Sequence, residues 1–487
     1  MKPEYIIILL VFYFGMLYLT SWITSRRSNN QSFYLGGRKS PWYIVAVGML
    51  GASLSGVTFI SVPGWVLTSN FSYLQLVIGY IFGYIVIAYV LLPIYYKLNL
   101  TSIYTYLEQR FGLSAYKTGA ILFLISRTIG ASFRLFIVGT VLQIAVFDHF
   151  GVPFYVTVFI TIVLIWLYTA KGGIGTIIWT DFIQTIVLLL AVVLTVVQIC
   201  LQLDFSFTEM VSQIYASPLS DTFNFSDWRS ETYFFKYFFS GMFITIVMTG
   251  LDQDMMQKNL SCRNLKDAQK NVITYGVAFV PINLLFMGLG VLLVIFANTN
   301  GIAIPEATDQ LYPTIATGGY LHPVVTFAFI IGLIAAAYSS ADSALTALTT
   351  SFTVDILGYN HEKLDSPDSV KVRRWVHLGV SAVMMIVIIV FDAISDQSVI
   401  SAIFRVAGYT YGPLLGMFAF GLFTKYQVRP VAIPIIGILS PLFCYFLQMY
   451  AESVFDGYKV GYELLMINGA VTFIALYFSK IGRNFSK

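Results

Sequence analysis

The sequence predicts an all-α membrane protein with 13 transmembrane helices, and three observations support this prediction. The 487 residues are 57% hydrophobic and only 11% charged, whereas a soluble domain carries about 25% charged residues. Runs of about 20 apolar residues, long enough to cross a bilayer, recur along the whole chain. Basic residues concentrate in alternate loops, as the positive-inside rule describes. We therefore treat residues 1–487 as one transmembrane domain.

The apolar runs define a leading helix over residues 5–25 and 12 core helices. The leading helix precedes Arg26 and Arg27, whereas a signal peptide carries its basic residues first. We interpret it as a retained helix with its N-terminus outside, which places the C-terminus in the cytoplasm. The core helices are centred near residues 55, 84, 132, 162, 189, 245, 284, 340, 382, 411, 440 and 469. The longest outer loop, about 204–233, is expected to carry short surface helices.

The loop charges agree with this helix count. Most of the 28 Lys and Arg residues fall in segments predicted to be cytoplasmic. The outer segments hold only four basic residues: Lys2, Arg229, Lys236 and Lys459. The segment after core helix 6 is counted as cytoplasmic and contributes four: Lys258, Arg263, Lys266 and Lys270. One missed helix would break the alternation. Because the loops are short, we expect the protein in the plasma membrane of a bacterium, which is the inner membrane.

Core helices 1 and 6 are predicted to be broken, because residues 48–58 and 248–254 are rich in glycine and small polar residues. Irregular backbone at membrane depth is tolerated only where it lines a cavity or is buried in protein. Five helices begin with each broken helix, and because five is odd the second set is inverted. Matched broken helices in inverted repeats are typical of secondary transporters. We expect repeats over about 41–203 and 233–424, and two extra helices over about 430–480.

Core helix 8 carries a carboxylate and three hydroxyls at predicted membrane depth: Ser339, Ser340, Asp342 and Ser343. Ser339, Asp342 and Ser343 share one helix face, since they are three and four residues apart. Such groups are costly in a membrane unless they face a cavity, a partner or an ion. The serines alone could serve close helix packing, with Asp342 paired to an arginine. Together they favour a site for a small alkali cation, which prefers hard oxygen ligands.

Four motifs resemble the sodium:solute symporter family, which contains sodium-coupled sugar, proline, iodide, pantothenate and sialic acid carriers. They are residues 33–38 followed by Pro41 and Trp42, residues 179–184, residues 339–343, and Asp355 with Ile356. The resemblance implies a five-plus-five inverted repeat and a symporter that imports a small organic solute by alternating access. It also implies Na⁺ as the coupling ion, bound between core helices 1 and 8.

The family resemblance implies specific ion ligands. The sodium ligands would be the backbone carbonyls and hydroxyls of Gly51, Leu54, Ala336, Ser339 and Ser340. Some relatives hold a second sodium ion, and the corresponding positions here are Asp181, Ser339, Asp342 and Ser343. Asp342 stands where those relatives usually have a hydroxyl. Two carboxylates in a low-dielectric site cannot both stay ionised alone, so a second cation, a retained proton or Arg405 must balance them.

The solute site is expected among core helices 1, 2, 3, 6, 7 and 10. Its polar candidates are Ser53, Ser55, Thr58, Gln75, Tyr80, Arg127, Arg134, Thr245, Asp252 and Gln253. Arg127 and Arg134 share one face of helix 3, and a guanidinium suits a carboxylate. Sialic acid carriers use a helix-3 arginine in this neighbourhood. The two arginines either bind an anionic solute or form fixed ion pairs with Asp252 or Asp254. A sugar, a sugar acid or another carboxylate is the expected solute.

Other functions are less compatible with the sequence. Proton coupling on the same fold and a membrane-embedded solute sensor are the main alternatives, although fewer than ten residues follow Phe478 and leave no room for an output domain. The chain offers no histidine cluster or nucleophile–base arrangement, so we expect no enzyme activity. We also expect a functional monomer in the lipid bilayer that binds no nucleic acid.

Overall fold

The computed structural model describes residues 3–26, 30–359, 367–394 and 399–483, and these are almost entirely helical. The first half of the described chain contains α1 (Pro3–Thr24), α2 (Asn30–Leu35), α3 (Trp42–Ser69), α4 (Tyr73–Val86), α5 (Leu92–Lys97), α6 (Thr105–Phe111), α7 (Leu113–Ala145), α8 (Phe154–Gly172) and α9 (Ile174–Gln202). A π-helical segment, Ile87–Leu91, joins α4 and α5. Short 3₁₀ turns lie at Gly36–Arg38, Asn70–Ser72 and Phe147–Phe150.

The second half of the described chain is also mainly α-helical. Its helices are α10 (Phe207–Ala216), α11 (Phe234–Thr245), α12 (Gln253–Leu260), α13 (Leu265–Thr299), α14 (Leu311–Thr317), α15 (Pro323–Ser351), α16 (Pro367–Ile394), α17 (Val399–Phe423), α18 (Ala432–Val454) and α19 (Leu464–Phe478). Two π-helical segments, Ile246–Gly250 and Phe352–Ile356, extend α11 and α15. Further 3₁₀ turns lie at Pro218–Ser220 and Thr308–Gln310. Strands β1 (Tyr426–Val428) and β2 (Lys480–Arg483) pair antiparallel.

The protein is a multi-pass membrane protein. Among the described residues, ten helical stretches are long and apolar enough to cross a membrane, and eleven if the bent pair formed by Phe234–Gly250 and α12 counts as one span. One of these stretches, Trp42–Lys97, is 56 residues long and contains the turn between α3 and α4. Helix α19 is apolar but shorter. Helix α10 is the expected helix of the outer loop, and a Ser206–Glu209 capping box begins it.

Both helices predicted to be broken are interrupted within the predicted segments. In α3, Ser55 has a φ of 38° and a ψ of 164°, which lie outside the helical region. Positive φ is uncommon for a residue other than glycine and often marks a functional site. The helix that contains α11 ends at Gly250, and the chain turns by 65° before α12 begins. Asp252, at the turn, has extended backbone angles.

Helix α15 lies at the centre of the protein and packs against α3 and α9. Every residue from Gly332 to Ser351 is buried. A helix that is buried all round has no face left for lipid. The polar cluster of residues 339–343 therefore lies in the protein interior, where other side chains or ions must satisfy it.

Glycines bring α4 and α11 into direct backbone contact. A Cβ atom added at Gly79 would contact the backbone carbonyl of Phe238, and one added at Gly241 would contact the carbonyl of Leu76. Small residues allow such close approach between membrane helices, where dispersion forces supply much of the association energy. This interface joins α4 to the α11 half of the broken α11–α12 helix.

Gly79→Ala should therefore lower the free energy of unfolding by about 1–3 kcal/mol, because the added methyl group forces the two backbones apart. Gly15→Ala is the matched control, since nothing lies within 4 Å of its added Cβ, and alanine improves helix propensity by about 1 kcal/mol. Thermal melting in detergent would compare them. Equal melting temperatures for the two variants would contradict the close packing of α4 on α11.

Candidate functional site

The predicted cation-site residues of α15 meet α3 where α3 is broken. Ser340 is completely buried, and its hydroxyl donates to the Ala52 carbonyl at 3.0 Å. Ala52 is one of the last four residues before Ser55, and the carbonyls at such a helix end have no partner in their own helix. The break therefore supplies free carbonyl oxygens opposite the hydroxyls of α15.

The predicted sodium ligands lie on these two segments. Gly51 and Leu54 also belong to the last four residues before the break in α3. Ala336 and Ser339 are fully buried on α15, one turn apart. A Cβ atom at Gly51 would collide with the Thr185 side chain of α9, so glycine allows this close packing. Carbonyl and hydroxyl oxygens are the type of donor that a hard cation requires.

Asp181 of α9 receives three polar contacts, two of which join it to α15. The Ser339 hydroxyl donates to Oδ1 at 2.6 Å, and the Ser343 hydroxyl donates to Oδ2 at 3.3 Å. The third contact comes from Lys258, whose Nζ lies 2.7 Å from Oδ2. Both side chains of this ion pair are buried, at 1% and 0% exposure.

The position of Lys258 corrects the sequence analysis, which assigned this residue to a cytoplasmic loop. Lys258 belongs to α12, and every residue of that helix is buried. The positive-inside rule counts charges near helix ends and takes no account of their partners, so it does not detect a lysine that is buried in an ion pair. The weak signal was the position of Lys258, six residues after the break at Asp252.

Asp342 adjoins this cluster and is only partly satisfied. The Tyr168 hydroxyl donates to its Oδ2 at 2.9 Å. Its Oδ1 is buried without a hydrogen-bond partner among the described residues. No basic side chain of the described chain lies within salt-bridge distance of Asp342, so the alternative in which an arginine pairs with Asp342 is not observed among the described side chains. The side chain of Arg405 lies outside the described residues.

A cavity opens beside the α3 break, between α3, α4, α7, the α11–α12 helix and α13. Seven of the ten predicted solute-site residues line it: Ser53, Ser55, Thr58, Tyr80, Arg127, Arg134 and Thr245. Core helix 10, which is α17, contributes no residue to the described lining. The cavity and the candidate sodium site therefore lie on neighbouring parts of the same broken helix.

Three predicted solute-site residues lie away from the lining because their side chains are committed elsewhere. Gln75 donates to the carbonyl of Thr232 at 3.0 Å and thereby holds the outer loop. Gln253 accepts from the Ile103 amide at 3.0 Å and donates to the Thr101 carbonyl at 2.9 Å. These two glutamines therefore have structural contacts in place of solute contacts.

Asp252 is the third of these residues, and it begins α12. Its Oδ1 accepts from the amide of Asp254 at 2.9 Å, as a helix N-cap does. Its Oδ2 accepts from the Tyr411 hydroxyl. Oδ2 also lies 3.8 Å from Nη1 of Arg127. Asp252 therefore joins α7, α12 and α17 at the break.

The two arginines of α7 differ in their partners. Arg127 forms ion pairs with Asp254 and Asp252, which is the fixed-pair alternative that the sequence left open. Arg134 lines the cavity, and no carboxylate of the described residues lies within 4 Å of its guanidinium. Arg134 is therefore the arginine whose positive charge faces the cavity without an acidic partner in the described chain.

Tyr84 and Tyr275 line the cavity but were not predicted from the sequence, unlike Tyr80. Tyr84 donates a hydrogen bond to Tyr275 at 2.7 Å, and the Tyr275 hydroxyl lies 2.6 Å from that of Ser53. The chain contains 32 tyrosines, so the residue type alone does not identify these two. Only the packing of α4 and α13 against α3 distinguishes these two from the rest.

Comparisons with known proteins agree with this architecture. Residues 33–433 match the sequence model of the Sodium:solute symporter family. The chain is 26% identical to the Sodium/sialic acid symporter SiaT of Proteus mirabilis over 94% of this chain and 92% of that protein. It is 28% identical to the Sodium/sialic acid symporter NanT of Aliivibrio fischeri, over 82% of this chain and 79% of that protein.

More distant relatives and solved structures match as well. The chain is 24% identical to the Sodium-coupled monocarboxylate transporter 1 of Mus musculus, over 82% of this chain and 65% of that protein. A Na⁺-coupled sialic acid symporter, solved in a substrate-bound outward-open state, superimposes with a TM-score of 0.82 at 22% identity. The superposition covers 98% of this chain and 97% of the other, and it shows that the two share a fold.

Ser340→Ala should weaken sodium binding about tenfold, because it removes one hydroxyl ligand and the hydrogen bond to Ala52, which together are worth about 1–2 kcal/mol. The sodium concentration that gives half of the thermal stabilisation measures this affinity. Ser381→Ala is the matched control, since Ser381 is a buried serine whose hydroxyl bonds only within α16, to the His377 carbonyl. An unchanged sodium midpoint in Ser340→Ala would remove Ser340 from the site.

Proposed function

Because the chain belongs to the sodium:solute symporter family and is a sodium-coupled symporter, we propose that it imports a small organic anion, specifically a sugar acid, together with Na⁺. The observation that carries this proposal is the Arg134 guanidinium, which faces the cavity without an acidic partner among the described residues. A solute carboxylate would supply the missing negative charge.

The difference between Arg127 and Arg134 supports an anionic solute. A positive charge held in a largely dehydrated wall is costly unless an opposite charge meets it. Arg127 has that partner in the protein, whereas Arg134 is left to meet a ligand. A guanidinium binds a carboxylate through two parallel hydrogen bonds, which adds specificity for a planar anion. The relatives described above include sialic acid symporters and a monocarboxylate transporter, whose named solutes carry this group.

The remainder of the cavity wall favours a sugar acid over a short monocarboxylate. Its hydroxyl groups include Ser53, Thr58, Thr245 and Tyr275, which can exchange hydrogen bonds with the hydroxyls of a sugar. Two aromatic rings, Tyr80 and Phe279, lie 5.7 Å apart on the same wall. A wall with hydroxyls and rings can bind both faces of a polyhydroxylated solute, and a short carboxylate would leave these groups unused.

Sodium is proposed to bind to the carbonyls of Gly51, Leu54 and Ala336 and the hydroxyls of Ser339 and Ser340. The α3 segment that carries the first two carbonyls also presents Ser53 and Ser55 to the cavity. A sodium ion that orders this segment would also order part of the solute site. The two binding events would then strengthen each other, and this coupling must be reciprocal.

The proposed architecture has 13 spans. This count takes α3 and the α4–α5 stretch separately, treats the α11–α12 pair as one span, and includes α19. The breaks at Ser55 and at Leu251–Asp252 then lie in the first helices of two inverted repeats, over about 41–203 and 233–424. In this arrangement the N-terminus is outside, the C-terminus is cytoplasmic, and a monomer in a bacterial inner membrane transports by alternating access without enzyme activity.

Arg134→Gln should lower the affinity for the carboxylate solute about 100-fold, since a charge-assisted bidentate contact is worth about 2–3 kcal/mol. The stabilisation by sodium alone should persist. The measurement is solute-dependent thermal stabilisation in saturating sodium, across a panel of sugar acids, matched neutral sugars and short monocarboxylates. Arg134→Lys should recover only part of the affinity, because an ammonium lacks the planar fork.

Arg127→Gln is the comparison variant on the same helix face. We expect it to lower the melting temperature without any ligand, because it leaves the buried carboxylate of Asp254 without its cation. Wild-type stabilisation by neutral sugars and by no carboxylate would contradict the proposed solute class. Full solute affinity in Arg134→Gln would contradict the role of Arg134.

A further inference from the structure

We propose that Lys258 is a built-in cation that takes the place of a second sodium ion, so that this chain binds one sodium ion per solute. The inference rests on the proposed sodium site between α3 and α15. Relatives with a second sodium site would place that ion among Asp181, Ser339, Ser343 and the residue at position 342. In this chain the Lys258 ammonium group already forms an ion pair with the Asp181 carboxylate of that site.

The contacts of Asp181 do not fit a second sodium ion. Its Oδ2 faces Lys258 Nζ at 2.7 Å and also accepts from Ser343, while its Oδ1 accepts from Ser339. The Lys258 ammonium therefore already supplies the positive charge beside this carboxylate, and a second cation bound there would lie close to a like charge.

Lys258 is held in place by the surroundings of α12. Its neighbour Gln257 donates to the Tyr34 carbonyl at 2.6 Å and to the Thr350 hydroxyl at 2.9 Å. On the other side, Asn259 accepts from Asn271 at 2.7 Å. These contacts join α12 to α2, α13 and α15. The lysine is therefore a fixed, dehydrated cation, and its charge requires the Asp181 carboxylate.

Two cations are enough to neutralise the two carboxylates of this cluster. Asp181 and Asp342 supply two carboxylates, and Lys258 supplies one positive charge. A sodium ion bound by Ser339 and Ser340 would supply the second, within two residues of Asp342. This accounts for an aspartate where relatives with a second sodium usually have a hydroxyl. Lys258 balances Asp181, and Asp342 balances the one transported sodium ion.

The test is the number of sodium ions bound by the full-length protein in detergent. Equilibrium binding of radioactive sodium gives the number at saturation, and the sodium dependence of the melting temperature gives a Hill coefficient. We expect one ion and a Hill coefficient of about one for the wild type and for Lys258→Arg. Lys258→Gln should bind a second ion at the exposed carboxylate, and its Hill coefficient should rise above one.

Two controls separate the second ion from indirect effects. The double variant Lys258→Gln with Asp181→Asn replaces the ion pair with two neutral amides of similar shape, and it should bind one ion again. Lys266→Gln makes the same change at an exposed position of the next helix, and it should behave like the wild type. If Lys258→Gln does not fold, the number of sodium ions bound by the wild type and by Lys258→Arg tests the inference: one ion supports it and two ions contradict it.

The outcomes distinguish this inference from the proposed function. Two sodium ions bound by the wild type, or an unchanged single ion in Lys258→Gln, would overturn the built-in cation. If no form binds sodium or is stabilised by it, the proposed sodium site itself is wrong and the inference falls with it. One ion in the wild type and two in Lys258→Gln would support both.

Discussion

The ion pair between Lys258 and Asp181 is the interaction on which the centre of this protein depends. A bilayer provides no water to solvate a charge, so every polar group at membrane depth must be satisfied inside the protein. Here the pair lies where α9, α12 and α15 meet, and both partners are almost completely buried. Loss of either partner would leave an uncompensated charge, which costs several kcal/mol in such surroundings.

This constraint links the ion site to the broken helices. Lys258 follows the break before α12, and Ser340 donates to a carbonyl released by the break in α3. The helix that provides the hydroxyls, α15, is buried at every residue from Gly332 to Ser351. The two breaks and the buried helix α15 therefore meet at the proposed sodium site. Broken helices near the bilayer midplane commonly form the binding site of secondary transporters.

The sequence predicted the helical membrane fold and the position of both breaks, because glycine and small polar residues at membrane depth are a local signal. It also placed seven residues on the cavity wall from their position in the broken and neighbouring helices. It could not decide which arginine of α7 is paired, since the partners of Arg127 are far away along the chain. It also could not show that Gln75 and Gln253 bond to backbone groups, because those groups too are far away along the chain.

The charged residues at membrane depth follow one rule that the sequence could not reveal. Arg127 and Lys258 each have a carboxylate in the described chain. Arg134 has no carboxylate partner among the described residues. The Oδ1 atom of Asp342 has no hydrogen-bond partner among them. Buried charges and polar atoms without a protein partner are expected where ligands bind. Among the described residues, the Arg134 guanidinium and the Oδ1 atom of Asp342 are the groups that the proposed anionic solute and the proposed single sodium ion would meet.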